Sequence, residues 1–153
     1  MALHTDTEIY KATYSLAQLV TQLVAGMPRN YKADFGAELR KRCMGLVMRV
    51  YEANTAADRV DVLRSMRQEV EAVNLCLRLS VDLKLISRGQ YGRAIAITES
   101  IGKQATGWQK QSERALDAGL SRQPGQRAFE SGRAAGPQAH RQAQKGYRRQ
   151  SSE

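Results

Sequence analysis

Residues 56–86 read AADRVDVLRSMRQEVEAVNLCLRLSVDLKLI, thirty-one residues without a glycine or a proline. The spacing predicts a single helix, a rod of about 46 Å at the α-helical rise. Asn54-Thr55-Ala56-Ala57-Asp58 marks its start, with Thr55 as the expected cap and Asp58 three residues on as a short-armed capping box. Val60, Leu63, Met66 or Arg67, Val70, Val73 and Leu77 recur on one face at helical spacing. From Val73 onward the apolar stripe widens to take in Leu75, Cys76, Leu79, Val81, Leu83, Leu85 and Ile86. A helix that is apolar on most sides has to be covered on most sides, so this half is expected to lie centrally, against several helices or a second subunit. Arg78, Asp82 and Lys84 interrupt the apolar zone. Arg78 and Asp82, four apart, can pair along a wet strip of the helix, or they can mark an interface, where arginine is enriched.

Two helices are expected before the rod. Thr5-Asp6-Thr7-Glu8 opens the first, its acids placed for the positive helix end, and Ile9, Ala12 or Thr13, Leu16, Val20, Leu23 and Met27 form its stripe up to Gly26-Met27-Pro28. The turn Pro28-Arg29-Asn30-Tyr31-Lys32 is basic and holds an aromatic. The second helix is expected from Ala33 or Asp34 to Asn54, striped by Phe35, Leu39, Cys43, Leu46, Val47, Val50 and Ala53. Gly36 and Gly45 lower its propensity and are candidates for close helix approach. After the rod, Ser87 or Gly89 is the candidate cap of a fourth helix carrying Ala94, Ile95, Ile97, Ile101, Ala105 and Trp108. That helix is expected to fray between Lys110 and Leu116. Four amphipathic helices with short joints, no strand pattern and no repeat predict an all-α, up-down-up-down four-helix bundle over residues 5–116.

The chain has 153 residues, with 24 Lys+Arg against 15 Asp+Glu, a net charge of +9. Residues 117–153 hold seven basic and three acidic side chains, two prolines, five glycines and only Phe129 and Tyr147 as aromatics. Such a composition cannot bury enough apolar surface to offset its ordering entropy, so this part reads as a disordered basic tail, either an arm for a polyanion or an inert extension. No apolar run approaches the roughly 18–20 residues of a membrane span. The amino terminus lacks the basic and apolar regions of a signal peptide, so a cytoplasmic protein is expected. Cys43 and Cys76 both sit in apolar stripes and read as small buried hydrophobes.

The residue types that carry chemistry are missing in usable patterns. His4 and His140 lie at opposite ends, and no Glu-x-x-His or Cys-x-x-Cys pair supplies metal ligands. There is no nucleophile elbow and no phosphate loop. Glu69 and Glu71 face different sides of a helix. No catalytic activity, metal or cofactor is expected. What remains is positive charge: Arg40-Lys41-Arg42 with Arg49 on the second helix, the turn pair Arg29 and Lys32, and Arg88 with Arg93. In an antiparallel bundle the turns after the first and third helices fall at one end, which would gather Arg29, Lys32, Arg88 and Arg93 there. Each alone can simply solvate a helix; together with the net charge they point to polyanion binding through phosphates. The aromatics are too few for a stacking platform. Trp108 is expected to pack on the core or to anchor an interface.

Several of these segments also resemble one family. Met27-Pro28-Arg29-Asn30-Tyr31-Lys32, the run from Leu39 through Val50 to Ala53-Asn54, Leu77-Arg78-Leu79-Ser80-Val81-Asp82, Gln90-Tyr91, Ile101-Gly102-Lys103 and Gly107-Trp108-Gln109-Lys110 fall in the order and spacing of the accessory variability determinant proteins of diversity-generating retroelements. The resemblance covers roughly residues 8–110. It implies a four-helix bundle assembled as a basic, barrel-like homopentamer. It further implies binding to the element's reverse transcriptase and to RNA or DNA, in support of error-prone copying of a template RNA. On that reading Arg29, Lys32, Arg40, Lys41, Arg42, Arg49, Arg88 and Arg93 are the nucleic-acid candidates, and Arg78, Leu79, Asp82, Leu83, Lys84 and Trp108 the interface candidates. Bundles encoded in intervening sequences of large ribosomal RNA genes are the nearest alternative, as structural oligomers without a retroelement role.

Overall fold

A computed structural model describes residues 7–121. Four long helices make up the fold: α1 (Glu8–Ala25), α2 (Ala37–Thr55), α3 (Arg59–Asp82) and α4 (Arg88–Ser121). A helical turn, Arg29–Tyr31, and a π-helical segment, Lys32–Gly36, lead into α2. Among the described residues there is no strand. The short connections at 56–58 and 83–87 suit antiparallel neighbours, and the all-α bundle expected from the sequence is what is found. Among the described residues one compact unit runs to Arg114, and residues 115–121 belong to a second. The tail expected at 117–153 lies outside the described residues from 122 onward; α4 itself continues to Ser121, past the expected fraying point.

The stripes read from sequence form the core. Leu16, Val20, Leu39, Cys43, Leu46, Val50, Leu63, Met66, Val73, Leu77, Ala94, Ile101 and Ala105 are almost completely buried. Burial of such side chains contributes about 1.5–3 kcal/mol each for the larger ones. Thr13, Ser80 and Thr98 are also buried, and each hydroxyl donates to a carbonyl of its own helix: Thr13 to Tyr10 at 2.9 Å, Ser80 to Cys76 at 2.8 Å and Thr98 to Ile95 at 3.0 Å. A buried hydroxyl so satisfied avoids the penalty of an orphaned donor.

The helix ends depart from expectation in instructive ways. Thr55 does not cap α3. It is the last residue of α2, and its hydroxyl turns back to the carbonyls of Tyr51 (3.1 Å) and Glu52 (3.3 Å). Asp58 takes the N-cap position, without a side-chain hydrogen bond to the helix. The rod stops four residues before Ile86. Leu85 N–H donates to Ser80 O at 2.8 Å and Lys84 N–H to Val81 O at 3.1 Å, with Lys84 at φ 59°, a Schellman ending. Leu85 and Ile86 then turn inward, Ile86 becoming buried. At the next helix, of the two candidate caps Ser87 is the one used: Gln90 N–H donates to Ser87 Oγ at 3.1 Å while Ser87 N–H donates to Gln90 Oε1 at 2.8 Å, a reciprocal capping box.

Of the two glycines marked for close approach, only Gly36 makes one. A Cβ there would lie 2.6 Å from Val24 Cγ1 of α1, whereas a Cβ on Gly45 would meet nothing within 4 Å.

Candidate nucleic-acid interface

The antiparallel topology places the 26–36 connection and the 83–87 connection at the same end of the bundle. Arg29 and Lys32 stand on the first of these. Arg40 and Lys41 follow within about 8 Å of Gly36 along α2. Lys84, Arg88 and Arg93 stand on or just after the second. Arg29, Lys32, Arg40, Lys41, Lys84, Arg88 and Arg93 are all exposed, and none of them takes part in an ion pair among the described residues. Ion pairs occur toward both ends: Arg78–Asp82 (3.4 Å) and Arg42–Glu38 (3.3 Å) near this one, Lys11–Glu8 (3.6 Å), Arg49–Glu52 (3.1 Å) and Arg64–Asp61 (3.1 Å) toward the other, where Arg59 and Lys110 are also exposed and in no ion pair among the described residues.

The eight nucleic-acid candidates therefore separate. Arg42, half-buried, is clamped between Glu38 (3.3 Å) and Glu69 (3.1 Å). The hydrogen bond to Glu69, more than any other influence, holds its guanidinium above the ordinary pKa. Its bond to Glu69 ties α2 to α3, a structural task that also accounts for Glu69. Arg49 is partly engaged by Glu52. The other six present their charge to solvent.

The interface candidates separate in the same way. Leu79 and Leu83 are 45% and 44% exposed, and Leu75, one turn before Leu79, is 71% exposed. These three form an apolar stripe on α3. On α2, Met44 and Met48 are likewise about half exposed. Arg78 and Asp82 form a surface pair at 3.4 Å. Trp108 is half-buried against the core.

Two open cavities flank the junction of α3 with α4. One, of about 700 Å³, has Arg67, Glu71, Glu99, Lys103 and Lys110 on its walls, a near-balanced set of charges. Asn74, also on its wall, keeps a buried Oδ1 without a hydrogen-bond partner among the described residues. The other, of about 630 Å³, lies at the basic end and is lined by Arg78, Val81, Asp82, Lys84, Ile86, Arg88 and Tyr91. Sequence reading divided Arg88 from Arg78, Asp82 and Lys84 between two tasks and gave Tyr91 no site role; the signal available was its position one turn into α4, next to Arg88.

Cys43 is fully buried and Cys76 half-buried. Burial pushes the Cys43 thiol up to about 12 and raises that of Cys76 as well, so both are unreactive thiols near neutral pH. No group of three or more His, Cys, Asp or Glu side chains stands ready for a metal among the described residues. None of the described helices is long and apolar enough to cross a membrane.

A family model described as bAvd-like matches residues 8–112. No curated protein and no solved structure matches the chain.

Proposed function

The chain belongs to the bAvd-like family of bacterial accessory variability determinants, accessory proteins of diversity-generating retroelements, and on that premise we propose that it binds the element's reverse transcriptase and the nucleic acid being copied. The observation that carries the nucleic-acid part is a concentration of uncompensated charge. Arg29, Lys32, Arg40, Lys41, Lys84, Arg88 and Arg93, all exposed and in no ion pair among the described residues, stand at or near the end of the bundle that holds the 26–36 and 83–87 connections. A surface of that kind attracts phosphates without reading bases. The apolar stripe of Leu75, Leu79 and Leu83 supports a second element of the reading, self-association into the fivefold ring that the family resemblance implies, with Arg78, Asp82 and Lys84 at the margin of the contact. Trp108 contributes only the part of its ring left outside the core. The protein serves as a scaffold in the cytoplasm and performs no chemistry of its own.

The test is capture of the neighbouring reverse transcriptase by the full chain, with and without its RNA. Retention of the polymerase, strengthened by the RNA, is the expected result. A chain that retains neither polymerase nor RNA at low salt overturns the reading. Light scattering at micromolar concentration tests the assembly, and a 17 kDa particle would remove it.

A further inference from the structure

We propose that the cavity of about 630 Å³ bounded by Lys84, Arg88 and Tyr91 is a subsite for one unpaired nucleotide of a single-stranded nucleic acid, its base against Tyr91 and its phosphate held by the two cations. This rests on the nucleic-acid reading above and gives that reading a location. The volume lies inside the range of about 300–1,000 Å³ typical of small-ligand sites. Asp82, the only acid on its wall among the described residues, is paired with Arg78 at 3.4 Å, which leaves Lys84 and Arg88 as excess positive charge. Neither has an acidic partner among the described residues. Tyr91 is half-buried against the core and lines the cavity, and every base offers a face to stack on it.

Lys84 adds a separate observation. It occupies the left-handed position of the Schellman ending, φ 59°, where glycine is the favoured residue. A lysine there bears a conformational cost that the fold alone does not need. Backbone held in a sparsely populated region clusters at binding sites, and here it sets an ammonium-bearing side chain on the wall of the cavity.

A duplex cannot present an unpaired base, so the two forms of nucleic acid separate the subsite from general phosphate attraction. The experiment measures binding of the full chain to a short single-stranded RNA and to a blunt RNA duplex by fluorescence anisotropy. Tyr91→Leu removes the aromatic face and keeps an apolar side chain; Lys84→Gly removes the ammonium and relieves the backbone. Tyr91→Leu is expected to weaken single-strand binding about tenfold, the scale of one stacked base, and to leave the duplex unchanged. Lys84→Gly is expected to weaken the single strand without loss of thermal stability, so misfolding does not account for the effect. Equal loss on both forms, or no loss on the single strand, overturns the subsite while general nucleic-acid binding stands. Wild-type protein that binds neither form of RNA overturns both readings together.

Discussion

Lys84 and Gly36 are the two residues whose backbone or space requirement is most specific, and they respond oppositely to substitution. Lys84→Gly removes the left-handed penalty and should raise stability by about 1 kcal/mol, visible as a higher midpoint in urea with an unchanged slope. Gly36→Ala inserts a Cβ against Val24 Cγ1, a stiff and buried side chain, and should lower stability by about 1–3 kcal/mol. Gly45→Ala is the control: with nothing within 4 Å it should stabilise α2 by up to about 1 kcal/mol. Sequence marked Gly36 and Gly45 alike, because a helical glycine looks the same whether or not a neighbour approaches. Cys43 gives a pH dependence of known sign. Its thiol is raised to about 12 from 9.0 in the folded protein, so the unfolded chain loses this proton first. Its contribution is fully present below about pH 9 and declines toward pH 12, by at most about 1.4 kcal/mol per pH unit. The alkaline fall in stability of wild type should therefore exceed that of Cys43→Ala, and equal falls would show that the thiol is not desolvated.

At the scale of the element, α3 carries most of what sequence could and could not reveal. Its core face was readable because Val60, Leu63, Met66, Val70, Val73 and Leu77 follow the helical period, and all are buried. Its end was not. Termination at Asp82 depends on Lys84 adopting a positive φ, and no glycine announces it. The π-helical segment Lys32–Gly36 was equally hidden, since an extra residue per turn leaves no compositional mark. The cap of α4 was legible only as a choice between Ser87 and Gly89; the structure takes Ser87, with Gln90 completing a capping box that the reading did not draw. The apolar excess read from Val73 to Ile86 resolves into two parts: Leu77 and Ile86 enter the core, while Leu75, Leu79 and Leu83 stay largely outside. A charge placed on the outer part should not touch the protomer's core. Leu75→Glu with Leu79→Glu is thus expected to keep helicity and melting of the monomer near wild type while lowering the particle mass in light scattering. Lost helicity would show that these leucines support the protomer itself.

For the whole molecule, the decisive property is where charge is left uncompensated. A net +9 is visible in composition, but which cations are free is a matter of three-dimensional neighbours. Arg42 looked equivalent to Arg40 and Lys41 in the sequence; its clamp depends on Glu69, twenty-seven residues away on α3. The three should behave differently. Replacing Arg40 and Lys41 by Gln should leave the fold intact, weaken RNA binding and flatten the dependence of log affinity on log salt by about 0.7–0.9 for each phosphate no longer neutralised. Replacing Arg42 by Gln should do little to that slope and cost about 0.5–1 kcal/mol of stability, the range for a partly screened pair. Salt titrations of the double and the single variant, each accompanied by a urea melt, compare the two directly. If Arg42→Gln flattens the slope as much as Arg40 and Lys41 together, the ion pairs with Glu38 and Glu69 open on binding, and the interface extends from the basic end onto the seam between α2 and α3.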